Sequence, residues 1–527
     1  MANPVISIVN TLNLEQRKEL LSYARDCAER AGSSLSDFRA LLRYRDRAYQ
    51  RQLNTTAEHI KAVRANMQGD ARKLQDITVP IVMPQIESAV AYQAGVFLTS
   101  HPVFGVISTP ENMNAAMQFE TAIGDQSVRY GWPRELMKVF RDGFKYNFGA
   151  AVVYWKKTPL KSIVTDTNIT SAGLAAIKEY SYGGNCIKRI DPYNCFMDMT
   201  VAPADLHSEG EYFGWNEVIS RVQLKRLLSI LDSDKTTSAK EAFNSQFAGS
   251  GQDETSAMSY YTPEINKYLD LSTTNIGGSN WGQWMGLANS SNSKLSYKDH
   301  YVLTHFYCRA LPSDFGARGN QVKMYHAILV NWQTVIFVEE LNVAYDNLPC
   351  FIMQPYEDGL GYQTQSMLDN ALPFQDMSSA LWNVSLESKR RLIFDRLVYN
   401  PRLIGKQDLD PVSSVPRIPL RNANIGKDDN AIARAIYQIP YREDNSGTNI
   451  QMSEMISAMA DQATGQNKVD RGQFQPGNKT KTEFTETMAN SSSRQQLCSL
   501  AIEHQFMTPV KETVKANTLQ FQTAGTI

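Results

Sequence analysis

Between Arg189 and Val218 the chain reads RIDPYNCFMDMTVAPADLHSEGEYFGWNEV, which gathers Asp191, Asp198, Asp205, His207, Glu209 and Glu211. Carboxylates and an imidazole at this density could hold a divalent cation or supply a general acid and base. They must first converge on one point and rest on rigid elements. The spacing argues both ways. His207, Glu209 and Glu211 alternate, so a strand would turn them to one face. Asp191 precedes Pro192 and so takes an extended or turn conformation, and the turn-prone MTVAPA separates Asp198 from Asp205. Neither the HExxH helix nor the EF-hand spacing is present. The expectation is a solvated edge or an inter-subunit surface. The alternative is a metal-dependent hydrolase or nuclease that uses the Asp191–Glu211 carboxylates.

Other candidates for chemistry are weaker. RGQFQPGNKTKT sets Gly472 and Gly477 at P-loop distance, but Asn478 stands between Gly477 and Lys479. The lysine is then out of register for a phosphate, and no apolar strand precedes the loop. The seven histidines are scattered, and no nucleophile elbow or Cys–His signature appears. The six cysteines form no CxxC pair, which points to reduced, buried thiols rather than disulfides or metal ligands. With 53 basic and 54 acidic residues the net charge is −1, whereas a tight nucleic-acid binder carries a basic excess to neutralise phosphates. The opening MANPVISIVNTLN lacks a basic start and an apolar core, so no signal peptide is expected. No apolar run approaches the roughly 20 residues of a membrane helix.

The elements that would position these residues are mixed. Periodicity and capping signals predict a helix from Leu14 to about Ala31-Gly32 and a second over Leu35–Met67 that carries Arg39, Arg43, Arg45, Arg47, Arg51 and Arg64, read as a solvated face or subunit salt bridges. A helix around Gln85–Leu98 is expected between two short strands, with a turn at Pro102. Helices follow over Pro110–Tyr130 and Pro133–Tyr146, the latter with an apolar stripe of Leu136, Val139, Phe140 and Phe144. A strand over Ala150–Lys156, strands and turns over Ile187–Trp215, and a helix over Glu217–Leu231 come next. Asp232–Asn292 is a Ser/Thr/Asn/Gly-rich insertion in which Trp281 and Trp284 are candidate partner anchors. Strands then recur from His300 to Glu340. A long helix spans Tyr362–Phe394, interrupted by Pro373, on which Met377, Leu381 and Val384 form an apolar stripe. Helices resume over Ile450–Thr464 and Thr480–Gln520.

Four segments carry a resemblance: ITVPIVMPQIESAVAYQAGVFLTSHPVFGV, LMKVFRDGFKYNFGAAVVYWKK, RIDPYNCFMDMTVAPADLHSEGEYFG, and LPCFIMQPYEDGLGYQTQSMLDNALPFQDMSSALWNVSLESKRRL with its internal Pro373-Phe374-Gln375. In this order the chain resembles the portal proteins, or head-to-tail connectors, of tailed double-stranded DNA bacteriophages, in the podovirus-like style, over roughly Ser36 to Gln520. The Asp232–Asn292 insertion has no counterpart in that pattern.

The resemblance implies an α+β fold of wing, stem, clip and small helical crown. The regions would be 1–216 (wing), 217–247 (first stem helix), 248–361 (clip with the insertion), 362–394 (second stem helix), 395–480 (wing return with tunnel helix and loop) and 481–527 (crown). It implies a ring, usually of twelve subunits, at one capsid vertex of the virion. That ring nucleates head assembly and passes double-stranded DNA during packaging and ejection. Its partners would be the major capsid protein, the terminase transiently, and then tail adaptor proteins. Neither an enzymatic activity, a cofactor nor a membrane is implied. Near-neutral charge suits a conduit, since each neutralised phosphate adds affinity. Candidates for the DNA channel are Lys468, Arg471, Lys479 and Lys481 in the tunnel loop, and Lys389, Arg390 and Arg391 at the end of the long helix, where cations also suit the dipole. A ring that closes by rotation needs two different complementary faces, and Arg189, Asp205 and Glu209 are candidates for them.

Overall fold

The computed structural model describes residues 14–50, 77–164, 176–232, 300–316, 319–359, 361–362, 364–393, 397–399, 436–438, 446–465 and 493–522. The chain is mixed α+β and divides into two compact units, one of residues 1–52, 82–371 and 463–527, the other of 53–81 and 372–462.

In the first unit, α1 (Leu14–Tyr49) is a single helix where a break at Ala31-Gly32 was expected. A glycine inside a helix costs about 1 kcal/mol relative to alanine. Here Leu20, Ala24, Cys27, Ala31, Leu35, Phe38 and Leu42 follow at three- and four-residue steps, and all are buried. One continuous stripe carries the helix through the glycine, each large side chain on it contributing roughly 1.5–3 kcal/mol. Next come α2 (Val82–Phe97), a 3-10 turn at Pro110–Asn112, α3 (Met113–Tyr130) and α4 (Trp132–Tyr146). The segment after Pro102, expected as a strand, is irregular. Gly131 joins α3 to α4 at φ +64°, where its N–H bonds the Ser127 and Val128 carbonyls. A left-handed residue at a helix end is the ordinary use of glycine. The α4 stripe Leu136, Val139, Phe140 and Phe144 is fully buried.

Two antiparallel sheets follow. One has the order β2 (Ala176–Ile190), β1 (Gly149–Val164), β8 (Cys350–Met353). The other runs β3 (Cys195–Met197), β4 (Tyr212–Ser220), β5 (His300–Ala310), β6 (Lys323–Val330), β7 (Thr334–Glu340). A helical turn, α5 (Leu206–Glu209), lies between β3 and β4. The helix expected from Glu217 starts later, as α6 (Arg221–Asp232), because Glu217 to Ser220 pair with Leu303 to His300 across β4 and β5. The expected boundary at residue 217 thus falls within a strand. Period-2 alternation splits the five-stranded sheet into two faces. Phe306, Cys308, Ala327 and Leu329 pack with α1 in the main core, while Tyr301, Leu303, Ile328 and Val330 pack with Leu224 and Leu228 of α6.

The second unit contains most of α7 (Met367–Ile393), the short pair β9 (Leu397–Tyr399) and β10 (Ile436–Gln438), and α8 (Ser446–Thr464). Pro373 lies inside α7 and does not end it. Its stripe is inverted relative to expectation, since Met377 and Val384 are exposed and Gln375, Ser378, Ser379 and Ser385 are buried. The reason is the chain at 77–81, expected as a strand and found irregular. The backbone N–H groups of Ile77, Val79 and Ile81 donate to Asn383 Oδ1, Ser379 Oγ and Gln375 Oε1 at 3.0, 3.0 and 3.2 Å. Ser378 also meets Ser453 of α8 at 2.7 Å. In the first unit the chain ends in α9 (Ser493–Ile502), a π-helical segment at Glu503–Met507, and α10 (Thr508–Phe521).

Candidate functional site

The acidic stretch does not converge. Asp191 caps its own turn, accepting from the Tyr193 N–H at 3.3 Å and from Asn194 Nδ2 at 3.2 Å. Asp198 accepts from Thr200 N and Oγ1 at 3.0 and 2.6 Å and from the Glu211 N–H at 3.2 Å. Glu211 takes the Tyr23 hydroxyl of α1 and lies 3.8 Å from Arg30. Asp205 and Glu209 are exposed. The expected alternation of His207, Glu209 and Glu211 on a strand fails because His207 and Glu209 lie on α5. Pro203 opens that turn, and the Gly210 N–H closes it on Leu206 O at 3.0 Å. A Cβ at Gly210 would come within 2.5 Å of that same carbonyl, so the turn requires glycine. His207 donates Nδ1–H to Ala204 O at 2.9 Å and packs on Phe351 at 5.6 Å, and burial lowers its pKa.

Asp198 is therefore a turn-fixing residue. Asp198→Ala is expected to cost about 1–3 kcal/mol, the usual penalty for stranding buried donors, and to leave DNA incubated with Mg²⁺ or Mn²⁺ unchanged relative to wild type. Thermal melts and plasmid nicking test both parts. A metal-dependent nuclease activity lost in this variant would establish the enzyme reading.

A denser polar cluster lies beside the stretch, and sequence reasoning missed it. Asp46 of α1 accepts the Tyr146 hydroxyl at 2.6 Å and the Tyr193 hydroxyl, and it pairs with Lys145. The Lys145 ammonium sits 4.7 Å from the ring centres of both Tyr49 and Tyr146. Arg189 bonds Asp142 at 2.5 Å and lies 3.8 Å from Asp191. Burial pushes Asp142 up to about 6 against the opposing pull of Arg189, and it raises Asp191 in the same way. Burial also raises the thiols, Cys27 to about 11 and Cys195 to about 12. Neither is a thiolate nucleophile at neutral pH. Each carboxylate already has a cation or donors, so the cluster fastens α1, α4 and the Asp191 turn together.

Among the described residues no three of His, Cys, Asp and Glu converge as a metal-holding group. No described helix is long and apolar enough to cross a membrane. Neither a protein-family model nor a curated protein matches the chain.

Two of the α1 arginines expected on a solvated face or in subunit salt bridges point inward instead. Arg39 and Arg45 are buried, and Arg39 Nη2 donates to Cys195 O at 3.3 Å. The signal was available, since residues 39 and 45 lie four after Leu35 and three after Leu42, in phase with the apolar stripe. Lys468, Arg471, Lys479, Lys481, Trp281, Trp284, Arg51 and Arg64 lie outside the described residues. Lys389, Arg390 and Arg391 fall in the last turn of α7 by backbone, their side chains outside the description.

Proposed function

We propose that the chain is the subunit of a phage portal, a ring through which double-stranded DNA enters and leaves a capsid. The observation that carries this reading is the order of the four segments along the chain. Three features support it. The segment LMKVFRDGFKYNFGAAVVYWKK forms a buried helix running into a long strand. The strand Cys350–Met353, flanked by Pro349 and Pro355, precedes the long helix that contains Pro373-Phe374-Gln375. Asp191 and Asp198 of the acidic stretch are taken up by local turns, as suits a conduit. On this reading the charge balance of −1 lets a duplex slide, since each phosphate grip would add affinity and salt dependence. The terminase, the major capsid protein and tail adaptors would dock on the outer surfaces of the ring.

The test is the native mass and shape of the chain expressed alone. The expected result is a ring with a central hole. Twelve copies of a 59.2 kDa chain would weigh roughly 700 kDa if the closed symmetry is twelvefold. A monomer that stays monomeric from low to high concentration would overturn the proposal.

A further inference from the structure

On the α6-facing side of the five-stranded sheet, three titratable residues form a chain across β5, β6 and β7. His305 Nδ1 lies 3.2 Å from His326 Nε2, and His326 Nδ1 lies 3.0 Å from Glu339 Oε1. Register places them side by side, with Trp215 opposite His305, Tyr307 opposite His326, and His326 opposite Glu339. The rings lie nearly parallel. Trp215 stacks on His305 at 4.7 Å and 16°, Tyr307 on His326 at 4.3 Å and 10°, and the planes of the two imidazoles differ by 7°.

The proton inventory of this chain is limited. A carboxylate only accepts, so His326 Nδ1 carries a proton toward Glu339. One proton then lies in the N···N bond between the two imidazoles, given by either ring. The pair can be neutral, or it can carry one positive charge. If both rings were protonated, two N–H groups would meet head-on at 3.2 Å. We propose that His305, His326 and Glu339 form an acid-sensitive latch, closed while the imidazole pair holds at most one positive charge and broken when it takes a second.

The surroundings favour that break. Lys188 of β2 faces His305 while paired to Glu217 of β4 at 2.7 Å, and Tyr307 and Tyr154 supply only neutral hydroxyls. The remaining cluster residues contributed by α6, Leu224 and Leu228, are apolar. Burial, then the His326 charge, then Lys188 hold the His305 pKa well below its usual 6.5. The sign follows. Below about pH 6.5 the unfolded chain binds a proton that folded His305 refuses, so this contribution to stability is present above 6.5 and is lost as the pH falls. Protonated carboxyls such as Asp142 act in the opposite direction, so the comparison must be with a variant.

Histidine C2–H exchange followed by mass spectrometry reads the two imidazoles in the intact wild-type chain, in whatever assembly it forms. The expected result is a His305 midpoint well below that of free histidine. Amide exchange over β5–β7 between pH 7.5 and 5.5, corrected for intrinsic rates, is compared with His305→Gln, which keeps a hydrogen-bonding group and cannot charge. Wild type should lose about tenfold more protection than the variant per pH unit below 6.5. A His305 midpoint near 6.5 would overturn the latch, as would equal pH slopes in the two proteins. The C2–H measurement needs no variant, so misfolding of His305→Gln would not shelter the proposal.

Discussion

Replacing Arg45 by alanine is expected to cost about 3–5 kcal/mol, the range seen when one member of a buried ion pair is removed. Arg45 is 1% exposed. Its guanidinium donates to Tyr146 O at 2.5 Å, to Thr364 O at 2.6 Å, and to both oxygens of Asp369 at 3.2 and 2.5 Å. Tyr146 O is one of the last carbonyls of α4, which has no partner within its own helix. Asp369 stands in the first turn of α7, where it also accepts from Ser366 N at 2.9 Å and its own N–H reaches Ser366 Oγ at 3.3 Å. One side chain thus ties α1 to the end of one helix and the start of another. Truncation strands two carbonyls and a carboxylate together. Lysine should recover only part of the loss, because a point charge cannot serve acceptors spread around a planar fork. Hydrogen exchange at the ends of α4 and the start of α7 measures the effect locally, which suits a chain of two units better than one global midpoint. An Arg45→Ala loss below about 1 kcal/mol would mean that the site relaxes around water, as an exposed pair does.

The inward arginines also show where sequence reasoning stopped. Apolar periodicity located α4, the strands from His300 to Glu340 and, apart from the break expected at Gly32, α1, because each buries a face whose period is visible in hydrophobicity alone. It failed where a polar side chain occupies an in-phase position. Arg39 and Arg45 were assigned to solvent by residue type although their spacing set them in the core. The α7 stripe failed in the opposite sense. Serine and glutamine form its buried side because the neighbour at 77–81 is an irregular backbone whose N–H groups bond to them, which no apolar face could do. Met377 and Val384 were left outside by that choice. The α5 turn was hidden for a third reason, since a single helical turn between Pro203 and Gly210 is too short to show a period.

The acidic stretch is explained by the same accounting. Six ionisable groups in about twenty residues raised the question of a site beside the expected solvated edge or inter-subunit surface, yet turns, caps and tight corners also consume carboxylates, because backbone N–H groups removed from water need acceptors. Asp191 and Asp198 each cap a turn two residues on. Density of acidic residues in a segment rich in Pro, Gly and Asn measures how many turns must be fastened, and only convergence in space separates that use from catalysis.

Phe306→Ala is the second large loss expected, at about 3–5 kcal/mol for a phenylalanine deleted from a packed core. Phe306 is fully buried, with ring centres of Tyr23, Phe196 and Tyr212 at 6.2, 6.1 and 6.3 Å. It therefore meets α1 on one side and the β3–β4 pair on the other. The site is poorly able to collapse. Phe196 lies directly over Gly214, where an added Cβ would come 2.3 Å from its ring and 2.8 Å from the His305 carbonyl. Phe196 cannot move toward the sheet, because Gly214 already grants it the closest approach the backbone allows, so a cavity at 306 stays open. Phe306→Leu keeps three of the carbons that alanine removes and should cost roughly 2 kcal/mol less than the alanine variant, each being worth about 0.8 kcal/mol. The readout is amide exchange along α1, expected to accelerate at Leu20–Cys27 in Phe306→Ala while α4 keeps its wild-type protection. Uniform acceleration of both helices would mean that α1 is held by the Arg45 and Asp46 contacts rather than by this aromatic anchor.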